Sequence, residues 1–211
     1  QPLLVESLQV RTDGEGAGHR RSGFGVTRRI RVLSGMSQLN VMTDRAVIPP
    51  WGAAGAYPGS PNSFTVVRGG EEIQPSPLPG KVKAFPLEAG DVVLMHASAG
   101  GGVGDPLERE VGLVEKDVSD GYITPGRAHD LYGIVIENGD VEPDKTQALR
   151  QQLRQKRTRF EVVDGGGDDF DERGCRRCTL SPEAASRIGV QDGDMVEYVS
   201  DTTAPLRAWV K

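Results

Sequence analysis

Through most of the first ninety positions apolar and β-branched residues alternate with polar ones, and this period of two restricts the fold more than any other feature. Leu4–Arg11, Phe24–Leu33, Gln38–Met42, Ser63–Arg68 and Lys81–Phe85 all carry it, separated by clusters of Gly, Pro, Ser or Asn. Such spacing favours an antiparallel sandwich or barrel-like sheet over a repeated βαβ unit. The 28 glycines and 14 prolines among 211 residues agree with many turns, short strands and modest helix. A chain of this length can bury a core as one large domain or two small ones.

The periodicity changes late in the chain. A strand-like run, Asp91–Met95, enters the loop Gly100–Gly104, and Asp105-Pro106-Leu107-Glu108 is expected to open a helix. Leu107, Val111, Val114 and Val118 then fall on one apolar stripe. A second helix is marked by Thr124 as cap, Pro125 in the first turn and Gly133 at the end. A short strand, Ile134–Glu137, leads to the turn Asn138-Gly139-Asp140. Pro143–Arg157 reads as a basic helix with Leu149 and Leu153 its only large apolar residues, so it is expected to face solvent or a partner.

Asp164–Arg173 has the composition of a linker. Beyond it Ser181–Gly189 is a capped helix, and Met195–Ser200 and Leu206–Lys211 are strands. The expected class is therefore mainly β with a few short helices (α+β). Residues 1–104 form the β domain, 105–160 a helical segment with one strand, 161–174 a Gly/Asp-rich linker, and 175–211 a small α+β tail.

Several functions are disfavoured by composition. A net charge of −5, with basic residues dispersed except near Arg150–Arg159, gives no nucleic-acid footprint. No apolar run approaches the roughly 20 residues of a membrane helix, and no signal-peptide core heads the chain. Two cysteines make no disulfide scaffold. A cytoplasmic protein is expected.

The ordered motifs carry a family resemblance. Gly14-Glu15-Gly16-Ala17-Gly18-His19-Arg20, Gly23-Phe24-Gly25-Val26, Asp44-Arg45, Pro49-Pro50-Trp51-Gly52 and Gly55 follow the order of the GGAGxxRGG, LGV, SDR and PPWG segments of the hydantoinase B/oxoprolinase family. Leu94–Val135, with Gly100–Pro106, Asp120-Gly121-Tyr122 and Tyr132-Gly133-Ile134-Val135, resembles that family's GGGGYGDP loop and its DGYVSPERAR…YGVV segment. The resemblance runs from about Pro2 to about Arg157 and reads as the C-terminal part of the family. Because the family's members are several-fold longer and Gln1 is not Met, the chain is expected to be a fragment, a processed product or one piece of a split subunit.

The candidate site residues come from four places. At the glycine loop, Gly101, Gly102 and Gly104 can turn backbone N–H groups toward an anion, but the lysine of a P-loop is missing and the Asp105 carboxylate can cap the following helix itself. A structural turn is favoured over a ligand-facing loop. His96 precedes the loop and has no second ligand at metal spacing. Asp44 and Arg45, with Trp51 and Gly52, can hold a carboxylate or carbonyl substrate against an apolar wall, or can serve as an internal ion pair over a buried Trp. Cys175 and Cys178 form half of a zinc site or a redox pair, and the more economical reading is neither.

The resemblance implies an ATP-dependent two-component enzyme. It would open a cyclic amide of the hydantoin or 5-oxoproline type or, in the related acetone- and acetophenone-type ketone carboxylases, join bicarbonate to a ketone. It further implies a hetero-oligomer with an A-type (hydantoinase A-like) ATPase partner and the N-terminal half of the B-type polypeptide. ATP and a divalent metal would be bound mainly outside this chain. This portion would shape the substrate region and the intersubunit interface, or act as a non-catalytic assembly module.

Overall fold

A computed structural model describes residues 2–161, 163, 170–200 and 204–211. Seven strands come first: Leu3–Val10 (β1), Val26–Val32 (β2), Ser37–Met42 (β3), Ser63–Arg68 (β4), Glu71–Ile73 (β5), Lys81–Leu87 (β6) and Val92–His96 (β7). Five of them form one antiparallel sheet in the order β1-β2-β7-β4-β5, while β3 and β6 pair separately.

Register explains why one face of this sheet is apolar. Ile30 lies opposite Val93, and Val93 opposite Val66, whose other neighbour is Ile73. Leu39, Phe85 and Leu87 from the β3–β6 pair cover that end of the face and close a core with Val32. In β1 a bulge between Val5 and Ser7 inserts one residue. Glu6 there meets Arg29 and Arg31, and the extra residue leaves Leu3, Val5, Leu8 and Val10 all on the apolar side.

A 3-10 turn over Pro106–Glu108 stands where the sequence predicts the opening of a helix. Arg109 is extended and ends it, and the helix proper is Val111–Ser119 (α1), followed by Pro125–Tyr132 (α2). The apolar stripe still works across the break: Leu107 and Val114 are buried, and Val111 and Val118 pack on the same core. That core joins Ala17 and Phe24 from the glycine-rich segment after β1 to Val114, Ile123, Ala128, Tyr132 and Ile134. Thr124 caps α2 and Gly133 closes it with left-handed backbone, as their residue types predict.

Ile136–Glu137 (β8) and Asp140–Val141 (β9) form a hairpin leading to Pro143–Lys156 (α3). The basic face of α3 lies on this chain. Arg150 donates to the carbonyls of Tyr132 (3.0 Å) and Arg109 (2.8 Å), and Arg154 to that of Leu107 (3.1 Å). Most of the expected linker, including 164–169, lies outside the described residues. The C-terminal unit contains Arg177–Cys178 (β10), Pro182–Ile188 (α4), Met195–Tyr198 (β11) and Leu206–Val210 (β12), in sheet order β10-β12-β11. The architecture is α+β: antiparallel sheets, then a helical segment, then a small C-terminal β unit.

Candidate functional site

Three segments far apart in sequence meet backbone to backbone around the glycine loop. Val103 and Arg20 exchange both of their backbone hydrogen bonds, each 2.9 Å. The Gly102 amide donates to the Tyr57 carbonyl (3.1 Å) while the Ala53 amide donates to Gly102 (2.9 Å), and the Gly104 amide donates to Ala53 (2.9 Å). Tyr57 in turn donates to Ala17 (2.8 Å). The Ser22 hydroxyl joins the first and third segments, accepting from the Gly16 amide at 2.9 Å and donating to the Gly100 carbonyl at 2.7 Å.

Glycine is required here by proximity. A Cβ on Gly101 would overlap the Trp51 carbonyl oxygen, one on Gly102 would come within 2.6 Å of the Ala17 carbonyl oxygen, and one on Gly16 would overlap the Gly102 nitrogen. The N–H groups of Gly102, Val103 and Gly104 are aimed at carbonyl oxygens of the same chain. The Asp105 carboxylate accepts from the Leu107 amide at 2.9 Å and forms a two-pronged ion pair with Arg157, one arm at 2.7 Å. Burial acts against its charge, but Arg157, the Leu107 amide and the nearby Arg154 outweigh that and hold its pKa below the ordinary carboxylate value. With three of its amides bonded within the chain and a carboxylate at its mouth, the loop is a poor match for a phosphate.

Of the other candidates, Arg45, Trp51 and Gly52 come together beside Gly101, whereas Asp44 turns to another partner. Asp44 is almost fully exposed and pairs with Lys81 at 3.1 Å, whereas the Arg45 guanidinium lies 5.0 Å over the ring of Trp51. Trp51 is half exposed, while Gly52 is buried against the carbonyl of Ala56. Thr27 Oγ1 lies 2.8 Å from His96 Nδ1 across the β2–β7 ladder. Burial, reinforced by the positive charge of Arg11, lowers the pKa of His96.

Cys175 and Cys178 are free thiols, and Cys178 Sγ is 3.6 Å from the Trp209 carbonyl oxygen. Among the described residues no group of three or more His, Cys, Asp and Glu side chains could hold a metal ion.

The structure also brings together charges that sequence reasoning missed. Asp117, on α1, accepts two bonds from Arg21 at 2.8 Å each and one from Arg109 at 3.1 Å. Beside it Glu15 is fully buried; one carboxylate oxygen meets Arg127 at 3.0 Å and the Tyr132 hydroxyl at 3.2 Å, and the other has no partner. Burial raises the pKa of Glu15 against the pull of Arg127, and burial plus the charge of Glu15 raises that of Tyr132. Arg21 also lies 4.2 Å over the Phe24 ring. The available signal was Asp117 beside Val114 and Val118 on an otherwise apolar helix face, a position that demands a buried cation.

Similarity to known proteins agrees with this geometry. A family profile described as Hydantoinase B/oxoprolinase matches residues 1–106. The chain belongs to the hydantoinase B/oxoprolinase family. The match falls on the N-terminal half of the chain, with the sheet and the interlocked glycines, and this overturns the reading of the chain as the family's C-terminal part. The physical reason is that the Leu94–Val135 signature, prominent by eye, is mostly helix past Pro106, where an apolar stripe can be met by many sequences. The interlocked glycines before it admit no substitute.

Named relatives include the putative B-type component of a D-/L-hydantoinase from a Pseudomonas species, 31% identical, with 71% of this chain aligned to 25% of that protein. The beta chain of the caprolactamase of Pseudomonas jessenii is 30% identical over 71% of this chain and 26% of its own. The alpha chain of the acetone carboxylase of Xanthobacter autotrophicus is 26% identical, covering 74% and 25%. Among solved structures, nucleotide-free acetone carboxylase shares the fold with TM-score 0.61 at 22% identity, over 74% of this chain and 25% of that one. ATP-dependent caprolactamase gives 0.57 at 28%, over 71% and 26%. The chain spans about a quarter of the length of the curated relatives it matches.

Proposed function

We propose that this chain is a packed, non-catalytic portion of a B-type subunit in an ATP-dependent, hetero-oligomeric enzyme that acts on a carbonyl carbon. One observation carries this reading. The amides of Gly102, Val103 and Gly104 are all bonded to carbonyl oxygens of the same chain, so the most distinctive motif builds a scaffold. The relatives support it from another side: components of hydantoinase, caprolactamase and acetone carboxylase match to similar extents, so this portion is common to hydrolysis and carboxylation. All three names designate one component of a larger enzyme, which supports an assembly with an A-type ATPase partner. Of the two reactions, ketone carboxylation is favoured over the cyclic-amide hydrolysis that the motifs suggested first, because acetone carboxylase gives the higher TM-score and the wider coverage of this chain.

The test is to replace Asp44, Arg45 and Trp51 by Ala, one at a time, in the assembled enzyme. These are the exposed polar and aromatic candidates, and the reading expects kcat/KM within a few-fold of the parent. A loss of a hundredfold with intact assembly at any of the three would return that residue to the substrate site.

A further inference from the structure

The apolar face of the five-stranded sheet is only half covered. The β3–β6 pair shields the end containing Val32, Val66 and Val93. At the other end Leu8 lies opposite Arg28, Arg28 opposite Met95, and Met95 opposite Phe64, while Val10 lies opposite Val26. Strand alternation puts this row on the same face as Val93 and Val66. Leu8 is 58% exposed and Val10 47%, and beside them a cleft of about 220 Å³ is lined by Val26, Arg28, Asn62, Phe64, Met95 and Ala97.

β1 is also the edge of its sheet and is eight residues long. Apart from its bulge it has few of the usual protections of an edge: its sequence, LLVESLQV, has no proline, no lysine and a single charge. That charge, Glu6, is used by Arg29 and Arg31 on the opposite face. The bulge at Glu6 keeps Leu3, Val5, Leu8 and Val10 in one apolar row instead of turning the edge away. A long edge with an aliphatic row beside a mostly apolar cleft is what a folded protein hides against more polypeptide.

We propose that β1 and the adjoining cleft receive an extended, aliphatic segment from the portion of the B-type polypeptide that this chain does not contain. The segment adds a strand to the β1 edge and sets one large apolar side chain between Val26, Phe64 and Met95. Its source is argued from extent: the relatives are about four times longer than the part aligned here, so most of the B-type polypeptide is available to cover this face. Four of the six residues lining the cleft are apolar, with Arg28 its single cation and Asn62 neutral, so it selects a hydrophobic strand over an acidic peptide. This rests on the proposed function.

The experiment places a photo-crosslinking phenylalanine analogue at Leu8, at Val10 and, as a control remote in sequence, at Arg187 on α4, in the chain purified with its assembled enzyme. Mass spectrometry then identifies the joined peptides. Expected is a crosslink from Leu8 and Val10, and not from Arg187, to a peptide of hydantoinase B-type sequence outside these 211 residues. A companion variant, Leu8→Glu with Val10→Glu, should keep the melting temperature of the isolated chain and weaken assembly at least tenfold. Crosslinks only to a second copy of this chain, or to an A-type partner, overturn the proposal while leaving the proposed function intact, as does unchanged assembly of the double variant. If the purified assembly contains no other hydantoinase-type polypeptide, the proposed function fails and this inference with it.

Discussion

Replacing Asp117 by Ala should be among the most damaging changes to this chain that leave its backbone untouched. The carboxylate accepts three hydrogen bonds from two arginines and its side chain is only 7% exposed. Its removal leaves Arg109, equally inaccessible and with a buried Nε that already has no partner, with only the His19 carbonyl at 3.3 Å to accept from it. Breaking one side of a buried ion pair costs about 3–5 kcal/mol. Arg21 keeps some access to water and its contact with Phe24, which argues for the lower end, about 3 kcal/mol. For a chain of this size that is a fall in Tm of roughly 6–12 °C. Thermal unfolding followed by circular dichroism checks it, and the double variant Arg109→Met/Asp117→Leu should recover part of the loss, because the buried Arg109 is then gone and only Arg21, which keeps access to water, loses its partner. A fall of less than about 2 °C for Asp117→Ala would refute the assignment of Asp117 as the counter-charge that makes this core possible.

Gly101→Ala should yield little folded protein, since the new methyl overlaps the Trp51 carbonyl and backbone cannot move aside as a side chain can; soluble yield and near-UV circular dichroism report it. Asp105→Asn should keep the cap on the 3-10 turn but lose the Arg157 pair, lowering stability by about 0.5–1 kcal/mol in a denaturant titration and leaving turnover of the assembled enzyme unchanged. The pKa of Asp91 is held down by Arg68 and by the Glu88 amide, against burial, so its stabilisation is present above the ordinary Asp pKa and is lost as pH falls through the depressed native value; Asp91→Asn should flatten that acid limb. Glu15 has the opposite sign. Its raised native pKa means the fold binds more protons than the unfolded chain just above the ordinary Glu range, so this group's contribution weakens as pH rises through that window, and Glu15→Gln should remove the slope.

The elements are largely legible in the sequence because local chemistry and fold agree. Alternation marks Ser63–Arg68 to the residue, Thr124, Pro125 and Gly133 mark α2 correctly, and Ser181 and Gly189 bound α4. The start of α1 is misleading because Asp105, Pro106 and Glu108 are helix-start residues that here cap a 3-10 turn, and docking of Arg150 and Arg154 on the Arg109 and Leu107 carbonyls keeps that turn from running into the helix. What the glycine loop touches is not legible, since a turn that binds an anion and one that interlocks with two other segments are written alike. Glu15 and Asp117 escape notice because acidic residues ordinarily mark a surface, and their arginine partners, Arg127, Arg21 and Arg109, lie far along the chain or on another element. Asp44 and Arg45, neighbours in sequence, point to different partners because Arg45 adopts left-handed backbone, with φ of 61°.

The core that joins Ala17 and Phe24 to Ile123 and Ile134 has a consequence for how the chain is made. On a ribosome the first hundred residues emerge with Phe24 uncovered and Glu15 lacking Arg127 and Tyr132, both of which are still to be synthesised. The strands can pair early and the glycine-rich segment can interlock with Tyr57 and Val103, but the side chains of Phe24 and Glu15 stay uncovered until α2 has left the exit tunnel. Residues 1–106, the stretch that the family profile matches, therefore hold the whole sheet core but only part of this second core. A stop codon shortly after Pro106 should give a nascent product that engages chaperones or proteases, and moving it past Ile134 should relieve that burden abruptly.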